Sequence, residues 1–329
     1  MKNHILLVVF FFLCRIGGMA QVDKGLETIT ENSVRSQISF LADDLLEGRA
    51  AGSWGGKIAA AYIVSLLNDM GVSAWKDSYF QPFEAIKNEQ TNRYSVNPSK
   101  RDSLLQSGGV PVEMRNIIAC IPGKLSDEYV IVGAHYDHLG IDKAVNGDSL
   151  YNGADDNASG VSAVLQIAKA FLATGQQPER TVLFAFWDGE ERGLLGSSYF
   201  VSVFPDPTKI KGYLNFDMIG RNTDEAIQTH VVYFYTESHP VFETWMKSHI
   251  QKYDLKLTPE YRPWDKPVGG SDNASFARKE IPIIWYHTNG HPDYHKPSDH
   301  ADKINYPKAV DIIKSAYLNL WNMANEKDF

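Results

Sequence analysis

The sequence predicts a single α/β domain whose mixed, mostly parallel sheet is covered by helices on both faces. Three observations predict it. From residue 116 onward, short apolar runs alternate with stretches of helical periodicity, the pattern of a sheet whose strands are joined by helical crossovers. One run, T-V-L-F-A-F-W (181–187), is apolar without a break, as a strand buried on both faces must be. Several runs also end in histidines or carboxylates, at the strand ends where such sheets bind ligands.

The first element to place is not part of that domain. Lys2 precedes the ten apolar residues I-L-L-V-V-F-F-F-L-C, and Gly18-Met19-Ala20 supplies the small residues of a cleavage site. Residues 1–20 are read as a signal peptide cut near Ala20, which leaves 21–329 as the domain and sends it outside the cytoplasm, secreted or periplasmic. A bilayer span needs about 20 apolar residues, so this run is too short and no membrane span is expected. Losing Lys2 and Arg15 takes the basic residues from 32 to 30 against 40 acidic ones, a formal charge of −10. So acidic a chain argues against a nucleic-acid partner. Cys120 is the one cysteine left, which excludes an intramolecular disulfide; at this size the core does not need one.

Val34, Ile38, Leu41 and Leu45 recur at helical spacing, and Ser53 stands as the cap of a second helix with Ile58, Tyr62 and Leu66 on one face, stopped at Gly71. Residues 88–112 are polar and turn-rich, and are read as a surface loop or small irregular insertion. N-I-I-A-C-I (116–121) and Y-V-I-V-G-A (129–134) are strands; 158–172 is a helix with Val161, Leu165, Ala168 and Leu172 on its buried stripe. A helix near 193–202, strands at 212–217 and 230–236, a helix at 240–253, a strand at 281–287 and a closing helix at 307–322 complete the series.

The chemistry sits where these runs end. V-I-V-G-A leads into His135-Tyr136-Asp137-His138, F-A-F-W-D-G into Glu190-Glu191, and Y-L-N-F into Asp217, while I-I-W-Y-H-T-N-G is followed by His291-Pro-Asp-Tyr-His295. G-A-D-D-N-A-S-G places Asp155 and Asp156 just before a helix. Each fragment alone is ordinary: His-x-Asp as a surface hydrogen-bonded pair, Glu-Glu as a solvated helix face, Asp-Asp-Asn as a helix cap. Together they gather the nitrogen and oxygen donors a divalent cation such as zinc takes. Such a cation also accounts for two glutamates at the end of an apolar strand, where unpaired carboxylates are costly.

In this order the fragments resemble metallopeptidase family 28, the di-zinc exopeptidases that include secreted bacterial leucyl-type aminopeptidases. The resemblance runs from about Asp127 to Tyr306, and L-A-D-D-L-L-E-G-R-A-A-G (41–52) adds to it. It implies a zinc-exopeptidase fold and two Zn²⁺ per chain. His135 and Asp217 would hold one zinc, Glu191 and His295 the other, with Asp156 bridging and followed by a cis peptide bond. Asp137 would hold the free nitrogen of His135 and fix its tautomer. Glu190 would be the general base for a hydroxide nucleophile on the metals, and Tyr294 would steady the developing oxyanion. Three carboxylates and one hydroxide balance the four charges of two zinc ions, which makes burial of the cluster tolerable. Peptides with a free N-terminus are the implied substrates. Ser271-Asp272-Asn273-Ala-Ser-Phe276 departs from the Ser-Asp-His-x-x-Phe of many relatives, which bears on substrate preference and not on the metals.

Two alternatives remain open at this point: a single-zinc glutaminyl cyclase of the same fold, and a non-catalytic binding module. The loop G-A-D-D-N-A-S-G favours the peptidase over the cyclase, and the presence of all five ligands speaks against the module. Only 25 residues separate Glu191 from Asp217, too few for the dimerisation domain that related deacylating amidohydrolases insert. His138, His291 and His300 are expected at the surface or behind the ligands. The sequons at Asn157 and Asn273 are read as chance matches, and Trp245, Trp264 and Trp285 as pocket lining or core.

Overall fold

The computed structural model describes residues 21–265 and 269–329; the signal-peptide reading of 1–20 lies outside them. Helix α1 (Glu31–Leu41) starts where the Thr30 side chain accepts from the Ser33 amide, and buries Val34, Ile38 and Leu41. The expected fourth member of that stripe, Leu45, is 82% exposed. The helix has already ended there, because Asp43 caps a short 3₁₀ turn (Asp44–Arg49) that carries Leu46 inward instead. Helix α2 (Trp54–Met70) runs from the Ser53 cap to Gly71, left-handed at φ 79°. Its buried face lies one residue on from the expected one: Gly55, Gly56, Ala59, Ala60, Ile63 and Leu67 pack inward while Ile58 is exposed. The small residues permit a close approach, since a Cβ on Gly55 would sit 1.6 Å from the Leu46 carbonyl oxygen.

Strands β1 (Ser73–Ala74), β2 (Phe80–Asn88) and β3 (Arg93–Ser95), the short helix α3 (Arg101–Gln106) and strand β4 (Val110–Ile121) follow. The polar stretch 88–112 is therefore the outer hairpin of the sheet, with α3 beside it, and mostly exposed. Next come β5 (Leu125–His135), the hairpin β6 (Gly140–Val145) and β7 (Asp148–Tyr151), α4 (Gly160–Ala173), β8 (Arg180–Trp187), α5 (Leu195–Val203), β9 (Ile210–Phe216), β10 (His230–Tyr235), α6 (Val241–Tyr253), β11 (Thr258–Pro263), α7 (Asn273–Ala277), β12 (Ile283–His287) and α8 (Tyr306–Asn325).

Among the described residues ten strands form one sheet in the order β11-β10-β12-β9-β5-β8-β4-β2-β3, with β1 paired to β4. Its centre, β12-β9-β5-β8, is parallel, and the antiparallel pairs lie toward the two flanks, apart from a parallel outer pair β10–β11. Alternate residues of each strand enter opposite layers. Val130, Val132, Val182, Phe184 and Phe186 join α1, α2, α4, α6 and α8 on one face. Ile131, Leu183, Ala185 and Trp187 join α5 and α7 on the other. All eight residues of β8 are buried, as a central strand with both faces covered requires. The consecutive strands β8 and β9 lie on either side of β5, with α4 and α5 on opposite faces. This reversal opens a crevice beyond the carboxyl ends of β5, β8, β9 and β12, the usual place for a ligand in such a sheet. No helix among the described residues is long and apolar enough to cross a membrane.

Candidate metal centre

The strand ends bring His135 (end of β5), Glu190 and Glu191 (after β8) and Asp217 (after β9) to one rim, with Asp156 arriving from the turn before α4. His135 Nε2 lies 3.3 Å from Asp156 Oδ1, 3.6 Å from Asp217 Oδ2 and 4.0 Å from Glu190 Oε2. On the other side of Asp156, His295 Nε2 lies 3.1 Å from Asp156 Oδ2 and 3.4 Å from Glu191 Oε2. One ligand atom each from His135, Asp156 and Asp217 fall within 4.8 Å of one another, as do those of His138, Asp156 and Glu191. Asp156 belongs to both groups and turns one oxygen to each.

The turn that presents Asp156 is irregular and held from several directions. The Asp156–Asn157 peptide bond is cis. Gly153 is left-handed at φ 61°, and a Cβ there would meet the Asp156 carbonyl oxygen at 2.2 Å and the His138 ring at 2.5 Å. Asp299 Oδ2 accepts from the amides of both Asp155 (2.9 Å) and Asp156 (3.1 Å). Arg49, from the 41–52 motif, is fully buried and donates to the carbonyls of Tyr136, Leu41, Asn152 and Gly153, so one guanidinium joins the segment after β5 to the turn before α4. Burial draws its pKa down to about 10 although Asp156, Asp137, Asp299 and Glu191 all favour the charge.

The donor set fits a cation. His135 Nδ1 faces the Asp137 carbonyl oxygen at 3.1 Å; a carbonyl only accepts, so Nδ1 carries a proton there. Nε2 is buried without a hydrogen-bond partner and faces three carboxylates. A lone pair in that setting calls for a positive charge. Burial opposes a second proton on the ring, yet Glu190, Asp156 and Asp217 hold its pKa well above 6.5. A divalent ion among the same atoms meets the same demand. The two glutamates differ in their surroundings. Burial first, then Asp217, Asp272 and Glu191, push Glu190 well above the carboxylate range despite His135. For Glu191, burial and Asp156 act upward, but bonds from His138 and His295 outweigh them and hold it at about 2.

The structure refines several expectations. The Asp137 group that meets His135 Nδ1 is its main-chain carbonyl, which accepts at 3.1 Å, while its carboxylate stays at 3.8 Å. Asp137 Oδ1 instead accepts from the Glu190 amide at 3.0 Å, linking the β5 and β8 loops. Of the two places left open for His138 and His291, surface or behind the ligands, both take the second and are buried: His138 Nδ1 is 2.7 Å from Glu191 Oε1, and His291 Nε2 is 3.3 Å from Asp155 Oδ2. Tyr294 is 42% exposed, with its ring stacked on His295 at 3.9 Å. Trp285 is buried, while Trp264 is exposed. Arg49, Asp155, Asp299 and Arg221 were missed as supports of the site. All four lie in or beside quoted motifs, but nothing in a charged residue's spacing says that it will be buried.

The sequence model of peptidase family M28 matches residues 116–319. Over 194 residues the chain is 37% identical to leucine aminopeptidase 2 of Trichophyton equinum, a match covering 55% of this chain and 37% of that protein. The first curated relatives are matched over 38%, 24% and 55% of their own lengths, so the chain spans only part of each. The crystal structure of the LapA aminopeptidase of Legionella pneumophila superposes with a TM-score of 0.69 at 20% identity, covering 94% of this chain and 75% of that one. That of the glutaminyl cyclase of Porphyromonas gingivalis gives 0.65 at 16% identity, covering 88% and 97%. At these identities the structural likenesses concern the fold.

Proposed function

The chain belongs to peptidase family M28, and on that footing we propose that it is a secreted di-zinc aminopeptidase removing N-terminal residues from peptides. The observation that carries the two-ion reading is the position of Asp156, shared between the His135–Asp217 and Glu191 sides with one oxygen toward each. His135 and Asp217 would hold one zinc and Glu191 and His295 the other, with Asp156 shared between them. His138 acts from behind, gripping the second pair through Glu191 Oε1. Held there, zinc would supply Lewis acidity toward a water and toward the scissile carbonyl.

The remaining work falls to side chains. Glu190 is free of ligand duty, buried, and held basic by the acids around it, so its carboxylate takes the proton of the attacking water and hands it to the leaving amine. Asp137 sets the direction of that loop through the Glu190 amide. Tyr294, stacked on His295, places a phenol near the oxygen that gains charge. Burial of His135, Asp156 and Asp217 strengthens the interactions on that side of the site, while Tyr294 and His295 form its open rim. The names of the relatives favour hydrolytic release of the N-terminal residue over cyclisation of an N-terminal glutamine. The test is hydrolysis of paired peptides with free and acetylated N-termini, before and after 1,10-phenanthroline. Activity on free termini alone, lost with the chelator and regained with zinc, is expected. Activity that survives the chelator on every peptide contradicts the reading.

A further inference from the structure

His295 is the most exposed of the proposed ligands, its side chain 38% accessible, and it lies at φ 52° on an irregular loop beyond β12. The ladder that fixes His135 and Asp217 at strand ends does not reach it. What reaches it is a buried polar network centred on Arg221. Arg221 Nη2 pairs with Asp293 Oδ2 at 2.9 Å, and Nη1 faces Asp299 Oδ1 at 4.0 Å. These two aspartates bracket Tyr294-His295. Asp293 Oδ1 also accepts from Ser298 Oγ (2.6 Å) and Lys303 Nζ (2.9 Å). Asp299 reaches across to the other side of the site: its carboxylate takes the Asp155 and Asp156 amides, and its carbonyl takes the Ala154 amide at 3.0 Å. Arg221 is itself anchored, its carbonyl accepting from the buried Lys308 Nζ at 2.6 Å.

We propose that Arg221 is a positioning residue that holds the 293–299 loop against the Asp156 turn and thereby sets the affinity of the second metal position, the one built by Glu191 and His295. The proposal rests on the two-ion reading above. Its selectivity follows from what else is pinned. Asp217 keeps the hydrogen bond from its amide to the Tyr286 carbonyl, and Met218 and Ile219 keep theirs to Asn157 and Ser159. The turn before Asp156 keeps the carbonyl bonds to Arg49. On the arm bearing His295, Asp293 takes its charged partners from Arg221 and from Lys303, and of these two Arg221 is the one that also faces Asp299. Outer partners of metal ligands typically alter affinity by about 10–100-fold.

The experiment is stepwise zinc titration of the full chain against a competing chromophoric chelator, resolving the first and second ions. Arg221→Gln is expected to weaken the second step about 10–100-fold and leave the first within about threefold. Arg221→Lys restores part of the loss, since it keeps the charge without the planar fork. Asp293→Asn, at the rim and 16% exposed, gives the same selective loss while Arg221 keeps Asp299 as a charged neighbour at 4.0 Å, and decides the matter if Arg221→Gln does not fold. Arg180→Gln, which breaks a remote pair with Glu128, leaves both steps unchanged and controls for general loosening. Two ions bound with parental affinities in both Arg221→Gln and Asp293→Asn, or both steps weakened equally, overturns the proposal. A parent that takes a single ion overturns the two-ion reading itself, a distinguishable failure.

Discussion

Glu190→Gln and Glu191→Gln are the same substitution at adjacent positions, and they should fail in opposite ways. Glu190 Oε2 has His135 Nε2 at 4.0 Å as its nearest ion-pair partner, and its amide is fixed independently by Asp137. Replacing the carboxylate with an amide of equal size removes the proton carrier and no ligand. General-base assistance is worth about 10²–10⁴-fold, or about 3–5 kcal/mol of barrier, so turnover should fall by that factor with zinc content unchanged. Glu191 is bonded on both oxygens, to His138 at 2.7 Å and to His295 at 3.4 Å. An amide there removes a charged ligand and disturbs the orienting contact behind it, whose loss alone is worth about 10–100-fold in metal affinity. The assay is metal analysis of desalted protein beside turnover of a leucyl chromogenic substrate at saturating concentration. Equal zinc loss in both variants, or turnover of Glu190→Gln within tenfold of the parent, refutes the division of roles.

Stability should carry a signature unrelated to the metals. His249, buried with Asn322 Nδ2 3.3 Å from its Nε2, has its pKa drawn from 6.5 to about 4, chiefly by burial. Below 6.5 the unfolded chain binds a proton that the folded one refuses, so this contribution is complete above 6.5 and lost as pH falls through about 4. Urea unfolding at pH 7.5 and 4.5 should show His249→Gln losing about 2–3 kcal/mol less than the parent; equal losses contradict the assignment. The mature protein should begin near Gln21, which N-terminal sequencing of secreted material checks; an intact Met1 on such material rules out the cleavage.

The apolar runs of the central strands were legible because burial on both faces leaves no other composition for them, as β8 shows. The gathering of carboxylates and imidazoles at one rim was legible from the joint occurrence of fragments that are each ordinary alone, while the choice of five ligands among them came from the family resemblance. Elements whose burial depends on a neighbour were not. Leu45 fits the helical period of α1 but follows a turn that ends the helix at Leu41, and α2 buries glycines and alanines that carry no hydrophobic signal. Strand β11, T-P-E-Y-R-P, holds two prolines and a glutamate, admissible only because it is an outermost strand. His138, left between the surface and a place behind the ligands, and Arg221, not singled out, were hard to place for the complementary reason. Their burial is permitted by partners from distant segments, Glu191 for one and Asp293 with Asp299 for the other, and spacing along the chain does not announce such meetings.

The central claim is that Asp156 joins two zinc ions in an aminopeptidase. Its most direct test is zinc stoichiometry by plasma emission on loaded, desalted parent and Asp156→Asn protein, with product analysis on a peptide beginning with glutamine. About two zinc ions per parent chain, release of the free N-terminal residue, and weakening of both ions together in Asp156→Asn are expected. One zinc per chain with pyroglutamate as the product would contradict it.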